Sequence, residues 1–389
     1  MDNQYDLFIF AGEPSGDLHG EHLLENLKKK RPNLKIKGIG GPRMRAVGLE
    51  CLLPMEEFQV MGFIDVLSSL PKLYRMFKKI RDEILSAKPS AVLFIDYPGF
   101  NLRMARSLKK RKSPSKLLQF VCPSVWAWGK GRIPLMEKNL DKLMTLLPFE
   151  PELFSHGSLD VEYVGHPLIS RIESHQYDSQ WRSEYGIDEN QAILTLFPGS
   201  REKEIMRNFP LQLSVAKKFL SERKDMTLIV SCSSEKFLPF LKKHLPNQVK
   251  IVHPKHLYEL MRASHIALAT SGTVTLELAL HKVPTVVTYA ITPLDTFLAT
   301  QVFRIDLPHY SLPNIIAKGE IFPELFGPNL TEGSLIKHLQ EHAMSQLKRS
   351  TCIRECERLK DLLGTKNASQ EASHTILDAI KSSESSSLK

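Results

Sequence analysis

With 389 residues, the chain is long enough for about two domains that each bury a core, which excludes a single small module. Hydrophobic residues make up 42% and charged residues 24%, the balance of an ordinary soluble protein, so collagen-like, coiled-coil and wholly disordered readings fall away. The formal charge of +9 is uneven: residues 1–168 hold 25 Lys and Arg against 19 Asp and Glu, net +6, leaving +3 for the rest. A basic first half attracts nucleic acid, an anionic membrane surface or a phosphorylated substrate.

No window approaches the ~18 to 20 continuous apolar residues that span a bilayer, and Met1-Asp2-Asn3-Gln4 lacks the basic and apolar regions of a signal peptide. The chain is therefore expected in the cytoplasm. Cys51, Cys122, Cys232, Cys352 and Cys356 form no CxxC pair, which suggests reduced thiols. Cys352 and Cys356 can share a helix face, but without a second ligand pair at zinc spacing they read as structural.

In chain order, strands are expected at residues 7–10, 35–39, 91–95, 117–121, 143–147 and 161–164, alternating with helical patterns. Residues 169–190 are polar and carry no apolar run, so they mark a domain boundary. A second series follows at 192–197, 227–232, 249–252, 266–269 and 284–289. This rhythm predicts an α/β fold of two doubly wound, Rossmann-like domains facing each other, residues 1–168 and 169–389. Helices are expected at 332–363 and 368–380, the last ones packing back on the first domain, and then a mobile serine-rich tail at 382–387.

The segment 66–84 places Leu67, Leu70, Leu73, Phe77, Ile80 and Ile84 on one helical face, with Lys72, Arg75, Lys78, Lys79 and Arg81 elsewhere. Such a helix either packs on a sheet or lies in a membrane interface. The cationic excess and the run Lys109-Lys110-Arg111-Lys112 favour membrane contact. Without an aromatic-interleaved basic array, nucleic acid is not an expected partner.

The chemistry-bearing motifs fall where strands run into helices. Ala11-Gly12-Glu13-Pro14-Ser15-Gly16-Asp17-Leu18-His19-Gly20 follows the first strand, and Gly38-Ile39-Gly40-Gly41-Pro42 the second; each is either a ligand loop or a tight turn. Asp96 ends the apolar run 91–95, at the edge where open α/β sheets bind ligands. It is either a general base or a helix cap. Trp126 and Trp128 in Cys122-Pro123-Ser124-Val125-Trp126-Ala127-Trp128 are either a sugar or lipid wall or buried bulk.

In the second half, Pro198-Gly199-Ser200-Arg201 sets a guanidinium beside free helix N–H groups, suited to a phosphate. Thr270-Ser271-Gly272-Thr273-Val274-Thr275-Leu276-Glu277 repeats the design, with Glu277 placed for a ribose hydroxyl. Two anion sites suggest a nucleoside diphosphate. D-x-D, Walker and HExxH motifs are missing, so neither a metal-bridged pyrophosphate nor P-loop chemistry is indicated.

The ordered set AGEPSGDLHG, GIGGPRM, MGF, IDYPGFN, PSVWAW, LPFEPELF, VGHPL, PGSREKEI, TSGTVTLE and SLPN resembles the lipid-A-disaccharide synthase family from about residue 7 to 324. The resemblance implies a glycosyltransferase-B architecture with a cleft between the domains and no metal cofactor. It implies an inverting transfer from UDP-2,3-diacylglucosamine to 2,3-diacylglucosamine 1-phosphate, giving a β-1,6 disaccharide and UDP. On that reading Asp96 is the base for the acceptor hydroxyl and Arg201 meets the leaving diphosphate. Glu13 is the second catalytic candidate, and His19 is a bystander. Ser15, Trp126, Ser200, Ser271, Gly272, Thr273, Thr275, Glu277 and, from SLPN, Asn314 are the expected substrate contacts. Gly129-Lys130-Gly131 departs from the family, in which a basic residue commonly follows the second Trp. The resemblance also implies peripheral association with the anionic cytoplasmic face of the inner membrane and leaves a homodimer open. The rivals are another UDP-sugar enzyme of this fold, such as a 2-epimerase, and a non-catalytic binding module.

Overall fold

The computed structural model describes residues 5–58, 63–223, 225–246, 249–292 and 307–387, with the side chains of 63–70, 386 and 387 outside the description. The chain forms two compact units, Met1–Ser170 together with Thr365–Lys389, and Arg171–Gly364.

The first unit contains strands β1 (Leu7–Ala11), β2 (Ile36–Gly40), β3 (Glu50–Pro54), β4 (Ala91–Ile95), β5 (Lys116–Phe120), β6 (Lys142–Thr145) and β7 (Asp160–Tyr163). They form one parallel sheet in the order β3-β2-β1-β4-β5-β6-β7. Helices cover both faces, which is why the central strands are apolar without alternation. Phe8, Phe10, Val92 and Phe94 pack with Ile80, Ile84 and Met104 on one face. Leu7, Ile9, Leu93 and Ile95 pack with Leu23, Leu24 and Leu27 on the other.

The last helix, Ala368–Ser387, belongs to this unit. Ala368, Ala372, Ile376 and Ile380, four residues apart, line one face and are buried with Leu23, Leu24 and Leu27. Lys30 Nζ donates to Ser373 Oγ at 2.8 Å, and Arg31 pairs with Glu384 at 3.1 Å. The helix runs through Ser387, where composition predicted a mobile tail from residue 382. The buried stripe fixes the preceding turns, so the serines extend an existing helix and need not nucleate one.

The helix Phe63–Ala87 settles its described half: Ile80 and Ile84 are buried, with Leu73 and Phe77 partly buried beside them, so this face packs on the sheet. Tyr74 is 67% exposed, and Lys72, Arg75, Lys78 and Lys79 are exposed with it. The side chains of Leu67 and Leu70 and most of the Met61-Gly62-Phe63 motif lie outside the described residues.

The second unit has strands β8 (Ala192–Phe197), β9 (Met226–Ser231), β10 (Lys250–Val252), β11 (Ile266–Thr270), β12 (Thr285–Tyr289) and β13 (Glu324–Phe326), parallel in the order β10-β9-β8-β11-β12-β13. The edge strands β3 and β13 had no sequence signal: β3 is only half-buried and ends in proline, and β13 is three residues long. The expected helix over 332–363 is two helices, Glu332–Met344 and Gln346–Leu363, because Ser345 leaves the helical conformation and its Oγ accepts from Lys348 N at 3.3 Å. All five cysteines are free thiols.

Both sheets reverse strand order once, between β1 and β4 and between β8 and β11. In doubly wound sheets ligands bind at the carboxyl ends of the strands flanking that switch point.

Candidate functional site

In the first unit, β1 and β4 end at Ala11 and Ile95, which are in register. Glu13 and Ser15 follow the first strand and Asp96 the second. Ser15 Oγ donates to Asp96 Oδ2 at 2.9 Å. Burial and the nearby Asp96 carboxylate push the Glu13 pKa up, so the two adjacent loops bring two interacting acids to one sheet edge.

Asp96 does not cap the following helix. That position falls to Tyr97, which makes no side-chain cap bond. Asp96 and Tyr97 lie in the left-handed region, φ +50° and +46°, and Val121 at the end of β5 has φ +73°. Such residues cost about 1 to 3 kcal/mol each and persist only where their surroundings over-determine them. Here Asp96 N donates to Phe120 O at 3.0 Å, and Asp96 O accepts from Asn101 Nδ2 at 2.5 Å and Gln119 Nε2 at 3.2 Å. Gln119 Nε2 also donates to Val121 O at 3.1 Å. Two fully buried amides thus hold the backbone that presents the carboxylate.

The two glycine motifs of this half serve each other. Asp17, buried, accepts from the N–H groups of Gly41 (2.8 Å), Arg43 (3.1 Å) and Met44 (3.1 Å), capping the helix Pro42–Ala46. A Cβ at Gly41 would collide with that carboxylate. The second cluster is therefore a turn and not a ligand loop.

Trp126 lies edge-on to Phe149, centroids 5.9 Å apart, and near the buried Glu150. Trp128 is stacked by Arg132, whose guanidinium carbon lies 4.3 Å from the ring centre, so Arg132 brings a cation to the loop that departs from the family pattern.

Burial raises the Glu150 pKa to about 7, against the opposing bonds from Leu147 N at 3.0 Å, Leu146 N and Trp126. The folded state therefore holds this proton more tightly than the unfolded chain. The stabilisation is complete below pH ~4.5 and is lost as pH rises through about 7. Urea unfolding across that interval is expected to show declining stability in the wild type and a flatter profile in Glu150→Gln; parallel profiles would refute the assignment.

In the second unit, a cavity of about 280 Å³ lies at the ends of β8 and β11, lined by Ser200, Arg201 and Glu204 from one loop and Ser271, Thr273 and Glu277 from the other. Gly199 has φ +125°, which turns the chain into the helix Glu202–Ser221. Arg201 is its N-cap, with a side chain 82% exposed. Gly272 begins the helix Thr273–Leu280 without any side-chain cap bond. Ser271 Oγ donates to Tyr310 O at 3.4 Å. Tyr258 Oη donates to Glu277 Oε1 at 3.2 Å, and Arg171 lies 3.9 Å from the same oxygen, which leaves Oε2 for a ligand. Burial raises the Glu277 pKa, opposed by Tyr258 and Arg171.

Two residues expected to contact substrate are buried in internal networks. Thr275 is fully buried outside the cavity lining, and its hydroxyl donates to Gly272 O at 2.7 Å. Asn314 is also fully buried: Nδ2 donates to Phe322 O (2.7 Å) and Glu324 Oε1 (2.8 Å), and Oδ1 accepts from Ile321 N (2.8 Å) and Phe322 N (3.0 Å). All four bonding positions of its amide are used, so it has none for a substrate. Glu324 also accepts from the N–H groups of Tyr310 and Ser311, making SLPN a brace behind the carbonyl that Ser271 contacts.

Sequence reasoning did not assign roles to Asn101, Gln119, Glu150, Glu204 or Tyr258. Asn101, Glu150 and Glu204 did stand inside the motifs IDYPGFN, LPFEPELF and PGSREKEI, and Glu204 also stands three residues after the helix cap as in a capping box, whereas Gln119 and Tyr258 carried no signal. No group of three metal-ligating side chains occurs among the described residues.

Two parallel sheets in nucleotide-binding order, each with polar loops at its switch point, define a glycosyltransferase-B-like fold shared by UDP-sugar enzymes. UDP-GlcNAc 2-epimerase from Neisseria meningitidis, bound to UDP-GlcNAc, is similar with TM-score 0.60 at 11% identity, over 96% of this chain and 99% of that one. The calicheamicin glycosyltransferase gives 0.57 at 12% identity, over 97% and 99%.

A family model described as lipid-A-disaccharide synthetase matches residues 7–380, and the chain belongs to that family. It is 38% identical over 384 residues to lipid-A-disaccharide synthase of Chlamydia pneumoniae, covering 96% of this chain but 62% of that protein. The synthase of Methylobacillus flagellatus is 34% identical over 379 residues, 96% of this chain and 99% of that protein. The chain spans only about half the length of other Chlamydia relatives, such as 51% for Chlamydia caviae.

Proposed function

We propose that the chain transfers the glucosaminyl unit of UDP-2,3-diacylglucosamine to the 6-hydroxyl of 2,3-diacylglucosamine 1-phosphate, forming the β-1,6 lipid A disaccharide 1-phosphate and UDP. The observation that carries this reading is the family match over residues 7–380. The placement of Asp96 and Arg201 at switch-point edges supports it.

In the mechanism, Asp96 takes the proton of the acceptor hydroxyl as its oxygen attacks the anomeric carbon. The C–O bond to UDP breaks in the same step, and an axial leaving group is replaced by an equatorial bond. Arg201 and the N–H groups at the start of the helix Thr273–Leu280 meet the charge that develops on the diphosphate. Glu277 Oε2 accepts from a ribose hydroxyl. Ser15 orients Asp96 through its hydrogen bond, and Glu13, acidic beside it, positions the acceptor.

The test is a radiolabelled assay in EDTA with both substrates and with Arg201→Ala alongside. Disaccharide from the wild type is expected, with Arg201→Ala lowering turnover more than UDP affinity, because a charge that acts on the leaving group acts mainly in the transition state. No product with any acyl length, or epimerisation of a UDP-sugar instead, would overturn the reading.

No described helix is long and apolar enough to cross a membrane. Two acylated, anionic substrates require contact with a lipid surface, and we propose that Lys72, Arg75, Lys78 and Lys79 on the helix Phe63–Ala87, with Tyr74, provide it on the cytoplasmic face of the inner membrane. Vesicles rich in anionic lipid should bind the chain at low salt and release it at high salt; no binding at low salt would refute this contact.

A further inference from the structure

The turn that the nucleotide reading assigns to a phosphate already holds a carboxylate. Glu204 Oε2 accepts from the backbone N–H groups of Ser200 at 3.2 Å and Arg201 at 3.3 Å, and Oε1 accepts from Arg201 Nη1 at 2.9 Å. The Glu204 side chain is only 19% exposed, and it lines the same cavity as Ser271 and Thr273. Gly199 makes the fold-back fit: a Cβ there would lie 2.9 Å from the Glu204 Cβ. The second helix start on this cavity, at Gly272, has no side-chain cap bond. The two anion sites are therefore unequal, one filled from within the chain and one not.

We propose that Glu204 is a built-in competitor of the leaving diphosphate, displaced from the Ser200 and Arg201 amides and the Arg201 guanidinium as UDP binds, and returning as UDP departs. The inference rests on the nucleotide reading of this cavity. A carboxylate and a phosphate oxygen both seek the same donors, and two anions cannot share them without repulsion. Binding then exchanges one charge-assisted set for another, so the net gain is smaller than the donors alone would give. The consequence is a product that leaves readily, while Arg201 becomes free to meet charge only when a diphosphate is present. A glutamate that serves only as a helix cap predicts the opposite sign, since its loss would loosen the turn and weaken binding.

The experiment measures UDP and uridine affinity by NMR-detected titration for the full chain as wild type, Glu204→Gln and Glu204→Ala, with circular dichroism to establish folding. Glu204→Gln keeps an acceptor for the amides, so it remains informative if Glu204→Ala unfolds. Competition predicts roughly 3- to 10-fold tighter UDP binding in the variants, with uridine unchanged. UDP bound equally or more weakly by the folded variants, or UDP and uridine tightened alike, would overturn the inference and leave the nucleotide reading standing. No UDP binding by the wild type would overturn that reading and the inference with it.

Discussion

Asp96→Asn is expected to lower turnover by about 10²- to 10⁴-fold while leaving UDP affinity within about twofold. The amide preserves the shape of the carboxylate, and its oxygen can still accept from Ser15 Oγ. The backbone bonds from Asn101 and Gln119, which hold the left-handed turn, do not involve the side chain. What is removed is the capacity to take a proton. Single-turnover measurements with both substrates bound separate this step from binding and product release. An unchanged single-turnover rate would remove Asp96 as the base and leave Glu13, the acid on the neighbouring loop. A comparable loss in Ser15→Ala would instead show that orientation, not basicity, limits the reaction.

The largest stability effect is expected at the C-terminal helix. Ile376→Ala should cost about 2 to 5 kcal/mol, and deletion of residues 365–389 should leave the first unit unfolded. Ile376 and Ile380 are fully buried against the helix Pro14–Lys30 and the sheet, and the deletion would also open the faces of Leu23, Leu24 and Leu27 to water. Urea unfolding reports both. Because the second unit lacks this helix, a two-step transition with only one step displaced is the expected form. A single-step loss below about 1 kcal/mol for Ile376→Ala would refute the packing argument.

The central strands were legible in the sequence because parallel strands covered on both faces are continuous apolar runs, as in Leu7–Ala11 and Ala91–Ile95. The edge strands Glu50–Pro54 and Glu324–Phe326 were not, since each is short, only partly buried and paired on one side alone, so neither needs a continuous apolar run. Asp96, Arg201 and Glu277 were legible as candidates by position, each standing where a strand gives way to a helix. The internal bonds of Thr275 and Asn314 were not legible, because a polar residue in a recognisable motif looks the same in one dimension whether it faces a ligand or closes an internal network.

The sequence by itself determined the two βαβ series, their lack of any metal or P-loop motif, and membership of one family through an ordered set of motifs. These are local properties, written in periodicity and in short strings. Only the tertiary structure decided which polar atoms remain for chemistry. Asp17 is engaged by a turn 24 residues away, Glu150 by the backbone of Leu147 and Glu204 by the turn at Ser200 and Arg201. The reason is that a polar group's availability depends on what fills its bonding positions after folding, and those partners are brought together by the sheet order rather than by proximity along the chain.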